Sequence, residues 1–126
     1  MAKKITPHFT WSEMTRTDTG LSNTPDDVAK VHLVYLCRSL ERVRRTLNSF
    51  YSSVEDVPIK VNSAYRSKEV NKAVGGSSTS YHLDGRAVDI DITSYTDRQL
   101  DILINALYDE NPSEILVRSS YIHFAI

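Results

Sequence analysis

Apolar residues recur three and four positions apart at Val28, Val31, Leu33, Val34, Leu36, Cys37, Leu40, Val43 and Leu47. That spacing lays them along one side of a helix, so the pattern predicts an amphipathic helix over about 25–50. Thr24 as cap, Pro25 in the first helical position and Asp26 and Asp27 in the first turn mark its start. The period drops to two at Ile59, Val61 and Ser63, which alternate with Lys60 and Asn62 and predict a short strand. Ser67 is placed to cap a short helix from Lys68 to about Val74, which Gly75 and Gly76 end. Residues 77–81 form a loop whose small polar composition suits a backbone wrapped close to a site. A second strand is expected over 86–92, with Asp89 and Asp91 two apart on one face. Thr96 caps the last helix, whose buried stripe is Leu100, Ile102, Leu103, Ala106 and Leu107, and Asn111-Pro112 closes it.

The remaining stretches are a hairpin, a loop and an arm. Residues 114–126 predict a β-hairpin. With Ser119-Ser120 as its turn, Leu116 lies across from His123, and Glu114, Arg118, Tyr121 and His123 share a face. A shift of one residue in the turn reverses that assignment. Residues 51–58 read as a loop. Residues 1–24 are polar, apart from a helical turn at 10–14 where Thr10 and Glu13 have capping-box spacing and Trp11 and Met14 pack inward. No repeat or linker interrupts the chain. Residues 1–126 are therefore expected to form one domain of the α+β class, with helices packed on a small, mostly antiparallel sheet.

Composition narrows the chemistry. The chain has 126 residues, 40 % hydrophobic and 25 % charged, which suits an ordinary globular domain with one core. A net charge of −1 and a pI near 6.4 argue against nucleic acid or an anionic membrane as a partner held by bulk charge, and they suit a monomer. Arg42, Arg44 and Arg45 cluster on the long helix and read as a solvated face. Cys37 is the sole cysteine, so it forms no intramolecular disulfide and is expected to be a small buried hydrophobe. It cannot build a thiolate zinc site either, so any metal must use histidine and carboxylate. There is no apolar segment near residue 1 and no run of about 18 apolar residues, so the chain is expected to be soluble and made in the cytoplasm.

The stretch from Ser63 to Asp89 carries the candidate chemistry. It holds Arg66 in a polar turn, a run rich in Gly, Ser and Thr, then His82 and Asp89 on either side of Gly85. A third candidate ligand, His123, stands in the last strand. Catalytic zinc commonly takes three protein ligands of these types and keeps a fourth position for water. His82, Asp89 and His123 supply the types and the number. A His and an Asp seven apart also arise by chance, and spacing alone leaves a purely structural reading open. His32, on or near the apolar face of the long helix, has no partner spaced with it and reads as a core or surface histidine.

Ser63-Ala64-Tyr65-Arg66-Ser67, Asn71, and the string from Ser80 to Asp89 closely resemble the zinc D-alanyl-D-alanine carboxypeptidase family. Ser80, His82, Gly85, Ala87 and Asp89 match its S-x-H-x-x-G-x-A-x-D motif, and Tyr121-Ile122-His123 is similar to its aromatic-apolar-His ending. His8-Phe9-Thr10 and Asn23-Thr24-Pro25 resemble short single-domain members from phages and bacteria. The resemblance implies a fold shared with the Hedgehog signalling domain, zinc held by His82, Asp89 and His123, and hydrolysis of peptide bonds in peptidoglycan stem peptides. Such a protein acts on the cell wall after release or export by another route. The resemblance also implies Arg66 as a substrate-binding residue, a role that suits a guanidinium facing a peptide carboxylate. Ser80 either hydrogen-bonds substrate or shapes the loop, and Asn71 ties helix to loop.

One position departs from that pattern. Many relatives carry an acidic residue three positions before the last histidine ligand, as general base for the attacking water; here it is Ser120, which cannot take a proton at neutral pH. Glu114, upstream in the hairpin, is the candidate catalytic base, with Asp84 and Asp91 as alternatives. Asp91 is alternatively an orienter of a ligand histidine. Without a base in reach, the same groove becomes a non-catalytic module that binds wall peptide, and a metal-free structural domain is the third possibility.

Overall fold

A computed structural model of the chain describes residues 3–50 and 56–126. The expected loop at 51–58 lies partly outside the described residues. Two short strands, β1 (Lys4–Thr6) and β2 (Phe9–Thr10), pair antiparallel and lead into a helical turn, α1 (Trp11–Met14). The Thr10–Glu13 capping box is present, Met14 is fully buried, and Trp11 packs against the core. The β1–β2 pair was not foreseen: strands of three and two residues are too short to show a period of two.

The long helix α2 runs Asp27–Ser49. Its cap is Asp26, whose side chain accepts from the Ala29 amide at 2.8 Å, and Thr24 is therefore not the cap. An ionised carboxylate serves there as well as a hydroxyl and also complements the helix dipole. Leu33, Leu36, Leu40, Val43 and Leu47 of the predicted stripe are buried, as is Cys37. Val28 and Val31 depart from it and face outward, because the inward side of the first turn is taken by Ala29. The arginine cluster is solvated only in part: Arg42 and Arg45 are exposed, whereas the Arg44 side chain is largely covered; Arg42 binds Glu110 and Arg44 binds Asp56.

β3 (Lys60–Ser63), β4 (Ala87–Asp91), β5 (Glu114–Val117) and β6 (Tyr121–Ala125) form a wholly antiparallel sheet in the order β3-β4-β6-β5. The helix α4 (Asp97–Tyr108), with the Thr96–Gln99 capping box at its start, packs on α2. Alternate residues of the sheet separate cleanly. Val88, Ile90, Ile122 and Phe124 are fully buried in the same cluster as the inward residues of α2 and α4. On the other face Ser63 pairs with Asp89, Asp89 with His123, and His123 with Leu116, so one row crosses all four strands.

The segment between β3 and β4 folds over that row. Ser67 caps α3 (Lys68–Ala73), and Gly75 takes φ +74° just beyond it. Asn71 is buried and donates to the Ser77 carbonyl at 2.9 Å, which holds helix to loop. A 3₁₀ turn at Tyr81–Asp84 then brings in His82, and Gly85 closes it at φ +74°. A side chain at Gly85 would meet the Ala29 carbonyl at 2.6 Å, so glycine lets this turn sit against α2. Asn23 clamps the arm to the same region: its amide donates to the Thr15 and Tyr65 carbonyls, and its oxygen accepts from the Ser67 amide at 2.6 Å.

Candidate metal centre

Sequence puts His82, Asp89 and His123 far apart; the fold brings one ligand atom of each within 4.8 Å of the others. Asp89 and His123 face each other across the two middle strands, β4 and β6. His82 comes from the 3₁₀ turn above them, and its ring meets that of His123 edge-on at 5.1 Å between centroids.

The hydrogen bonds decide which nitrogens face inward. His82 Nδ1 donates to the Ala64 carbonyl at 2.6 Å, leaving Nε2 toward Asp89 Oδ1 at 3.2 Å. His123 Nε2 donates to Glu114 Oε1 at 2.6 Å, leaving Nδ1 toward the same Asp89 oxygen at 3.0 Å. Two ring nitrogens and a carboxylate oxygen therefore converge, each histidine fixed by a partner on its outer nitrogen. Asp89 Oδ2 is held by Arg66 Nη2 at 3.3 Å.

This cluster favours positive charge at its centre. Burial alone would raise the Asp89 carboxyl, but the bonds from His123 and His82 carry it well below the usual carboxylate range. The bond to Asp89 raises the His123 imidazole above its ordinary value; burial opposes this, and Glu114 adds to the rise. A divalent cation fits the same donor set, taking the place of the His123 Nδ1 proton and leaving Nε2–H on Glu114.

The triad lies in a cleft of about 560 Å³ lined also by Arg66, Ser80, Glu114, Arg118 and Tyr121. Apart from Asp89, Glu114 is the one carboxylate among those lining residues. Neither alternative base is there. The Asp84 backbone carbonyl accepts from His32 at 2.7 Å, and its carboxylate does not line the cleft. Asp91 orients neither histidine, a correction to the expected alternative. Its carboxylate is taken up by the Thr93 amide and hydroxyl at 2.8 and 2.6 Å, a local turn that wins over a longer reach. Ser80 Oγ accepts from the His82 amide at 3.1 Å, shaping the turn from the cleft wall.

A family model described as Peptidase M15 matches residues 7–125. The chain belongs to the Peptidase M15 family. No curated protein matches it. The M15 match takes in every cleft residue named above and every element except β1. Membership of the M15 family makes the chain a metallopeptidase by kind, and the His-Asp-His cluster gives the metal a place. No helix among the described residues is long and apolar enough to cross a membrane. Sequence reasoning missed the Ala64 carbonyl, since every residue carries one, and it missed Tyr81, whose ring lies under the Arg86 guanidinium at 4.7 Å.

Proposed function

We propose that the protein hydrolyses peptide bonds in the stem peptides of bacterial peptidoglycan, as a zinc-dependent carboxypeptidase or endopeptidase working as a single-domain monomer. The observation that carries this reading is the convergence of His82, Asp89 and His123 within 4.8 Å in an M15 cleft. Two imidazoles and a carboxylate suit zinc better than calcium or magnesium, which prefer oxygen donors. When bound, zinc supplies Lewis acidity, acidifying water and polarising the scissile carbonyl. The chain supplies the rest. Glu114 accepts the proton of the attacking water, being the carboxylate in the cleft that is not a candidate ligand. Arg66, held in place by Ser63, Asn71 and Asp89, presents a guanidinium to a substrate carboxylate. Ser80 lines the cleft as a further hydrogen-bonding group for substrate.

The test is His82→Ala. It is expected to lose stoichiometric zinc by elemental analysis and to release no peptide from purified peptidoglycan. Full release by this variant refutes the proposal. One observation favours a second reading, a module that binds wall peptide without cutting it: Glu114 Oε1 is already engaged by His123. Muropeptide binding without release by the zinc-loaded wild type selects that reading.

A further inference from the structure

We infer that Arg118 is a specificity-determining residue, and that it selects peptides carrying a second carboxylate on the far side of the metal from Arg66. The inference rests on the reading of the cleft as a peptide site. Both arginines line it. They differ in what they are free to do. Arg66 is held in one pose: Nε donates to Ser63 at 3.2 Å, one terminal nitrogen to Asn71 at 3.4 Å and the other to Asp89 at 3.3 Å, which leaves one N–H on each terminal nitrogen for a ligand. Arg118 is exposed, and among the described residues no carboxylate pairs with it. Glu114, on the same strand side, is turned to His123.

Position adds the geometry. Arg66 follows the edge strand β3 and Arg118 follows the opposite edge strand β5, while Asp89 and His123 lie on the two strands between them. The Arg66 guanidinium reaches back to Asp89 on β4, so it stands beside the triad, while Arg118 is rooted just beyond β5, two inter-strand spacings or roughly 10 Å from β4, which an extended peptide covers in about three residues. A peptide laid across the strands with one carboxylate on Arg66 beside the triad therefore runs on toward Arg118. A planar donor pair of this kind recognises a carboxylate, and truncating it weakens binding of the charged ligand above all. The substrate class is thus a short peptide bearing two carboxylates about three residues apart.

The test uses two synthetic tetrapeptides that differ in one group, a side-chain carboxylate or its amide at the end opposite the C-terminal carboxylate. Binding is measured by calorimetry on wild type, Arg118→Ala and Arg118→Lys, in chelator so that no turnover intrudes. Wild type is expected to bind the acid about tenfold more tightly than the amide, a ratio that falls to about one in Arg118→Ala and is partly restored by Arg118→Lys. The same ratio in wild type and Arg118→Ala overturns the inference, as does a wild type indifferent to the acid. Hydrolysis of both peptides, followed separately with zinc, reports on the peptidase reading: a preserved acid preference without cleavage refutes catalysis and keeps Arg118 in its role.

Discussion

His123 and Phe124 are neighbours in β6 and belong to opposite worlds. Phe124 is fully buried with Val88, Ile90 and Ile122 beneath α2 and α4. His123 faces the cleft, where Asp89 and Glu114 hold its two nitrogens. The same alternation runs through β4, with Val88 and Ile90 inward and Asp89 in the cleft. A strand of period two lets one backbone bear both tasks: the apolar side fixes the strands in register, and the register sets Asp89 opposite His123. On the cleft face the side chains are held by hydrogen bonds to one another rather than by apolar packing. The packed face makes the stability and has no chemistry.

The largest expected effect breaks the cleft side alone. His123→Ala should lower zinc-dependent hydrolysis on the order of a thousandfold or more, since it removes a ligand of an ion that contributes several kcal/mol of transition-state stabilisation. Its chelated form should lose about 1–3 kcal/mol against chelated wild type, because Asp89 and Glu114 are left without the bonds His123 gives them. A urea melt beside a metal titration checks both halves; a large loss of stability would mean that the two faces are not separable.

Phe124→Ala is the mirror experiment. Emptying a fully buried aromatic site should cost about 3–5 kcal/mol. The fraction that remains folded should still bind zinc, because no ligand has changed. Chemical denaturation measures the first quantity and zinc affinity at low temperature the second.

These neighbours also mark what could be read from sequence. Helix stripes, the caps at Thr10, Ser67 and Thr96, and the hairpin register that pairs Leu116 with His123 are local signals, and the fold carries them. The cap of α2 was misplaced because Thr24 and Asp26 both carry a capping side chain, and it is Asp26 that accepts from the Ala29 amide. The ligand cluster was legible through its motif rather than through its spacing. The partners that fix the histidines were legible only in part: the hairpin put Glu114 on the same face as His123, but the bond between them depends on side-chain direction, and Ala64 contributes a backbone carbonyl that no side-chain pattern marks. Asp91 could have been read better: Asp91-Ile92-Thr93 is the spacing of a local carboxylate turn.

Gly85 is where the faces meet, so its substitution sharpens the comparison. Gly85→Ala forces a Cβ to within 2.6 Å of the Ala29 carbonyl at φ +74°. We expect about 1–3 kcal/mol of destabilisation. The turn also carries His82, so zinc affinity should fall as well, unlike in Phe124→Ala. Thermal melts with and without zinc separate the two losses.

The smallest effect lies on the packed side, at its rim, where Glu110 beyond α4 binds Arg42 and Ser39 of α2. Burial alone would raise the Glu110 carboxyl, but the bonds from Arg42 and Ser39, with the Arg42 charge, carry it below its ordinary value of 4.5. The folded chain therefore holds that proton less tightly than the unfolded one. Its stabilising contribution is complete above the unfolded value and disappears as pH falls through the lower folded value. Arg42 is 55 % exposed, so the pair should contribute no more than about 1 kcal/mol and should weaken in salt. Glu110→Gln should be less stable than wild type by that amount near pH 7, with the gap closing as pH falls below the ordinary value of 4.5 in urea melts. Because the pair touches no cleft residue, zinc affinity should not follow the gap. A parallel loss of zinc affinity would show that the α2–α4 contact reaches the metal site through the sheet.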